Sequence, residues 1–210
     1  MAAADRRQQI VAEATAIFAQ MGYSAFSLRA VSKTCGISLA AVQYHFADRE
    51  TLIMAIAQEA VDSSSRAIEA ILRSSPPDPR IRLEATLEHL IALNNDKQTA
   101  RLFMELWAFA SKYSQGRAVV ENLYAPVRTL VVELIEALCP GLGREDAMRR
   151  TLILLAAADG LLITTLHSSP QQEECFPTGQ GALARHLIAL HCSATPDCTL
   201  WGDLPAPRSG

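Results

Sequence analysis

His186, His191, Cys192 and Cys198 are residue types that ligate zinc or copper, and they stand close together near the C-terminal end. A helix brings residues three or four apart onto one face, but His186 and His191 are five apart, so the set reads as ordinary surface and core residues rather than a metal site. His167 beside Ser168 and Ser169 offers a base and a nucleophile, yet no acidic third member is identifiable. No G-x-S-x-G, H-E-x-x-H or phosphate-cradling glycine loop occurs. No catalytic residue, metal or cofactor is implied. Chemistry of another kind lies between Ser27 and Arg49. Ser27 and Ser38 each precede a short apolar segment and can accept from the free backbone N–H groups ahead of them. Phe26 with Val31, and Ile37 with Val42, are spaced as hydrophobic staples.

The elements that must position these residues are helices. Apolar residues recur at helical spacing almost throughout, with no sustained alternation of period two, so the fold is predicted to be all-α. The first helix carries Ile10, Ala14, Ile17, Phe18 and Met21 on one stripe and is expected to stop at Met21, before Gly22. Two short helices follow at 28–35 and 39–46, joined by Gly36-Ile37-Ser38. Helices this short need packing to persist. A long helix begins at Asp48 and ends near Ser74, where SSPPDP breaks the chain; Asp78-Pro79 restarts it. Further helices are expected at about 79–94, 97–113, 116–138, 144–168 and 179–193, with a kink or break at Pro126. The chain from 194 onward lacks apolar period and reads as a mobile tail. Two short capped helices joined by a glycine turn suit a helix-turn-helix, whose second helix enters the DNA major groove while the first lies across the phosphates. Such a pair also serves as plain scaffold in helical proteins.

Residue identities sharpen that choice. The run Gly22-Tyr23 … Phe26-Ser27-Leu28-Arg29-Ala30-Val31 … Cys35-Gly36-Ile37-Ser38, closing in GISLAAVQYHFADRETL, resembles the DNA-binding region of the tetracycline-repressor (TetR) family of transcriptional regulators. The resemblance covers about the first 52 residues. It implies a helix-turn-helix head at 1–52 and a helical effector-binding and dimerisation body at 53–193, followed by the tail at 194–210. Within the head it implies a recognition helix with Leu39, Ala40, Ala41 and Gln43 nearest the bases and Tyr44 and His45 at phosphate or the groove edge. Arg49 replaces the family's usual lysine and is implied to meet a phosphate. Ser27, Arg29, Lys33 and Ser38 complete the expected DNA-facing set. The family's lysine after the turn serine is here Leu39, and the aromatic before Tyr44 is Gln43. The reading face is therefore less cationic than usual, suited to thymine methyls and to an adenine edge through Gln43.

Charge agrees with that arrangement. Nineteen basic residues against 22 acidic give a net of −3, which excludes a polybasic protein that coats nucleic acid. Residues 1–52 hold Arg6, Arg7, Arg29, Lys33 and Arg49 against Asp5, Glu13, Asp48 and Glu50, a net of 5 − 4 = +1. Binding therefore depends on fit, and on two heads presented by a dimer.

For the body, the resemblance implies a homodimer joined through helices 144–168 and 179–193, where Ala156-Ala157-Ala158 permits close approach. It also implies a cavity for a small organic effector within 79–138. Phe103, Trp107 and Tyr124 are the aromatic candidates there, with Asn94, Arg128 and His89 as polar ones. Asp159 falls on an apolar helical face, where a carboxylate needs a partner: an arginine, a neighbouring helix cap or a cationic ligand. The expected partners are a palindromic DNA operator, the effector and a second copy, with no membrane. Five cysteines without a CxxC pair, no secretory signal and no run of about 20 apolar residues point to the cytoplasm. An activator of the same fold, or a helical binding protein with no DNA role, would share many of these features.

Overall fold

Side-chain caps set the helix starts. Ser27 Oγ accepts from the Ala30 amide at 3.2 Å and Ser38 Oγ from the Ala41 amide at 3.1 Å. Asp48, Asp78 and Asp96 accept from Thr51, Arg80 and Thr99 amides at 2.7, 2.8 and 2.8 Å. Each cap satisfies an N–H that the helix itself leaves free. The structure is a computed structural model that describes residues 3–167 and 180–192. Among these residues every regular element is a helix: α1 (Ala3–Ala25), α2 (Leu28–Thr34), α3 (Leu39–His45), α4 (Arg49–Ser74), α5 (Pro79–Asn95), α6 (Lys97–Lys112), α7 (Ser114–Leu138), α8 (Arg144–His167) and α9 (Gln180–Cys192). The all-α expectation holds.

Gly22 interrupts α1 with φ 71° and ψ 167°, a backbone region essentially confined to glycine. The regular helix thus ends where the apolar stripe does, and a further turn carries the chain to Ala25. Gly36, at φ 64°, turns the chain between α2 and α3. Of the kink or break expected at Pro126, the break is absent. The helix continues through it, because the proline is exposed and the one backbone hydrogen bond it removes lies on the solvent side.

Two clusters of buried residues hold the helices together. One joins Ile10, Phe18, Phe26, Val31, Val42, Phe46, Leu52 and Ile56 of α1 to α4 to Leu102, Leu106 and Phe109 of α6 and Val119 and Leu123 of α7. The other gathers Ile68, Leu83, Leu87 and Ile91 with Val131, Ile135, Leu154 and Ile188 from α4, α5, α7, α8 and α9. Both clusters draw on α4 and α7. The Pro-rich turn at 75–78 lies at one end of the second cluster and does not separate the two. The expected tail at 194–210 lies outside the described residues.

Candidate nucleic-acid interface and effector cavity

The α3 helix has two unlike faces. Val42 is buried against α1, α2 and α4, and Phe46, just beyond the last turn, is fully buried with the Arg7 guanidinium 5.0 Å above its ring. Ala40, Ala41, Gln43 and Tyr44 face solvent, and Tyr44 is 82 % exposed although it is large and aromatic. Leu39 and His45 are half-buried at the edges. Arg29 and Lys33 on α2 are exposed, and Ser27 and Ser38 are engaged as caps. The short helix is held by one apolar side, and its other side is left free for a partner.

Arg49 is less free than its position implied. Its guanidinium donates to Glu50 Oε1 at 3.0 and 3.2 Å, to the Tyr23 carbonyl at 3.3 Å and to the Tyr23 hydroxyl at 2.8 Å, and it lies 4.3 Å from the centre of the Tyr23 ring. Tyr23 is itself tied to α6. Its amide donates to Glu105 Oε2 at 2.8 Å, and its hydroxyl lies 3.0 Å from that of Tyr113, just after α6. The Tyr113 hydrogen bond and burial raise the Tyr23 phenol to about 12, so it stays protonated at neutral pH. A β-carbon on Gly22 would come within 3.0 Å of the Glu105 carboxylate, and glycine thus allows α6 to approach. These contacts fasten the ends of α1, α4 and α6 together.

Two adjoining cavity compartments, which share Ser64, Leu93 and Phe103 in their walls, lie among α1 and α4 to α8. The larger, about 240 Å³, is bounded by Thr15 of α1, by Ile56, Glu59, Ala60, Ser63, Ser64 and Ala67 of α4, by His89 and Leu93 of α5, and by Thr99, Leu102 and Phe103 of α6. The smaller, about 40 Å³, is bounded by Ser64, Leu90, Leu93, Phe103, Leu123, Tyr124, Val127 and Asp159. Tyr124 donates to Asp159 Oδ2 at 2.7 Å and lies beside Trp107, whose ring stacks on Phe103 with 6.4 Å between centroids. Burial raises the Asp159 carboxyl from 3.8 to about 6, and the Tyr124 hydrogen bond only partly opposes this. His89 Nε2 is buried without a hydrogen-bond partner, and burial lowers its pKa.

Comparison with known proteins decides the family. Residues 10–56 match the model for bacterial regulatory proteins of the tetR family, and residues 79–193 match that for the C-terminal part of BetI-type transcriptional repressors. The chain belongs to the tetR family. It is similar to the transcriptional regulator BetI of Rhizobium meliloti, 24% identical over 207 residues that cover 97% of this chain and 95% of that one. It is also similar to the regulator AcrR of Shigella flexneri, 29% identical over 121 residues that cover 57% of this chain and just over half, 56%, of the relative. Among solved structures, a transcriptional regulator from Rhodococcus sp. Rha1 superposes with a TM-score of 0.73 at 21% identity, covering 88% of this chain and 95% of that one. As a tetR-family member the chain is a helix-turn-helix transcriptional regulator.

Of the residues singled out from the sequence, Phe103, Tyr124 and Asp159 line the cavity, and Trp107 lies behind Phe103 and Tyr124. Arg128 does not. Its guanidinium is ion-paired with the exposed Glu121, two turns earlier on α7, and Arg128 lines neither compartment. The Asn94 side chain lies outside the described residues. Asp159 takes a tyrosine hydroxyl rather than an arginine. The α4 wall was not anticipated, although Ser63-Ser64-Ser65 in the middle of an apolar stripe is a visible signal of a helix face that does not pack tightly.

Proposed function

We propose that this tetR-family regulator is a homodimeric, cytoplasmic repressor that holds a two-fold-symmetric operator through α3 and releases it when a small organic effector occupies the cavity. Its activity is binding rather than catalysis. The observation that carries the DNA half is the two-sided α3, anchored by Val42 and Phe46 and presenting Gln43 and Tyr44 to solvent. Gln43 can bond an adenine edge, Ala40, Ala41 and Leu39 contact thymine methyls, and Tyr44 and His45 meet the groove edge. Ser27 and Ser38 hold the two helix starts, and Arg29 and Lys33 meet phosphates. Arg49 uses most of its N–H groups within the head and leaves one for a phosphate.

The dimer reading rests on α8. Leu152, Ala156, Gly160 and Ile163 fall on one helical face and are exposed, Leu152 and Ile163 by half of their surface. A second copy packed there would bury them and present two α3 helices about one helical turn of DNA apart.

The effector half follows from what the cavity touches. Its walls include α4, which runs directly from α3, and Thr15 of α1, while α6 is tied to Tyr23 and Arg49. A molecule that spreads these walls moves the head. DNA flanking the regulator's own gene tests the assignment of α3. By fluorescence anisotropy, the double variant Gln43→Ala, Tyr44→Ala is expected to bind at least tenfold more weakly than wild type, since each lost base or groove contact costs about 1–3 kcal/mol. Its thermal stability should be unchanged, because neither side chain is buried. Equal affinity would remove α3 as the reading element.

A further inference from the structure

From the cavity walls we infer that the effector is an organic cation, its positive group seated at Asp159 among the Phe103, Trp107 and Tyr124 rings and its body extending into the larger compartment. This rests on the reading of the cavity as the effector site.

Three observations converge on the sign of the charge. The residues lining the two compartments include two carboxylates, Glu59 and Asp159, and no arginine or lysine. Glu59 is already paired with Arg66 at 2.8 Å near the surface, whereas Asp159 forms no ion pair among the described residues. The histidine that lines the larger compartment is kept neutral by burial, so it supplies no compensating charge. Asp159 is half-buried, with the Tyr124 hydroxyl as its hydrogen-bond partner, and it carries a negative charge that no described side chain neutralises, so a cation brought in from solution would supply the missing countercharge.

The walls also describe the body of that cation. Leu90, Leu93, Leu123 and Val127 surround the carboxylate with hydrocarbon, so a bare metal ion or a strongly hydrated polyamine would lose its water without replacement. Phe103 and Tyr124 border the same compartment and Trp107 backs them. Aromatic faces attract a weakly hydrated organic cation. Ser64, Leu93 and Phe103 are shared by both compartments, so a ligand anchored at Asp159 passes Phe103 to reach the wider space by α4. An anion or a neutral molecule would cover the half-buried Asp159 without supplying a countercharge.

The test uses three compounds that share one body: 4-phenylbutylamine, 4-phenylbutan-1-ol and 4-phenylbutanoate. Trp107 and Trp201 are the two tryptophans, so in the full-length Trp201→Phe protein Trp107 alone reports occupancy by its fluorescence. At pH 7.5 the amine is expected to bind at least tenfold more tightly than the alcohol, with the carboxylate weakest. In Asp159→Asn the amine should fall to within threefold of the alcohol. Tighter binding of the alcohol or carboxylate overturns the inference, as does an amine preference that survives Asp159→Asn, or no response to the amine. Release of operator DNA, followed in parallel, separates this from the regulatory reading. If the alcohol or carboxylate binds better and releases DNA, the effector site stands and its cation preference falls. If the amine binds as expected but DNA stays bound, the cation site stands and its link to the head falls.

Discussion

Phe46→Ala is expected to lower the stability of the protein by about 3–5 kcal/mol and its melting temperature by roughly 10 °C, and to abolish DNA binding. The ring is fully buried where the C-terminus of α3 meets the start of α4, and its loss leaves a void that α1, with Phe18 and Arg7, cannot fill without moving. Seven-residue helices have little stability of their own, so α3 depends on Phe46 and Val42 to exist in one orientation. Tyr44→Ala, two positions away and largely exposed, should change stability by less than about 0.5 kcal/mol while still weakening DNA binding. Circular-dichroism melts combined with anisotropy on both variants separate anchoring from reading. Equal melting temperatures for the two would contradict this division of α3.

Asp159→Asn is expected to stabilise the protein at pH 8 and to leave it unchanged at pH 3. The carboxyl has an ordinary value of 3.8 when unfolded and about 6 when folded, so between these values the folded state holds a proton that the unfolded state has lost. Stability therefore falls as pH rises through 4 to 6 and then levels off. The ionised group costs the folded state about 3 kcal/mol above that window, which corresponds to roughly 6–12 °C for a chain of this length. Asparagine can still accept from the Tyr124 hydroxyl, so the substitution removes the charge and keeps the hydrogen bond. Melts of wild type and variant from pH 3 to 8 should diverge through this window; parallel curves would show that Asp159 does not titrate as its burial dictates. A protein that tolerates a destabilising carboxylate at a cavity wall fits a site shaped for its ligand rather than for the empty state.

The helix starts were legible because capping is local: a serine or aspartate and the three residues after it contain all the interacting atoms. The end of the regular part of α1 was legible for the same reason, since Gly22 carries the backbone freedom that its position requires. Asp159 stood out by counting along a single helix. Its partner did not, because Tyr124 lies 35 residues earlier and only the packing of α7 against α8 brings them together. The junction at Arg49 was equally hidden. It depends on Tyr23 and, some 80–90 residues later, on Glu105 of α6 and Tyr113 at its end, and the resemblance that assigned Arg49 to phosphate could not show that most of its donors are occupied. At Pro126, where a kink or a break was expected, α7 is continuous, since exposure, a tertiary property, sets what one missing hydrogen bond costs.

The network from Glu105 to Arg49 gives the coupling between cavity and head a physical path. Phe103 forms part of both cavity compartments, while Glu105 two residues later holds the Tyr23 amide. A ligand that displaces α6 thus acts on the same short helix segment that fixes the start of α4.

A footprint of the purified protein on the DNA flanking its own gene, with the mass of the complex measured alongside it, tests whether two chains read a symmetric operator through α3. Two protected half-sites related by two-fold symmetry are expected, with centres about 34–36 Å apart or a multiple of that, and two chains per site. Uniform protection without a preferred site, or one chain bound to one half-site, would contradict that expectation.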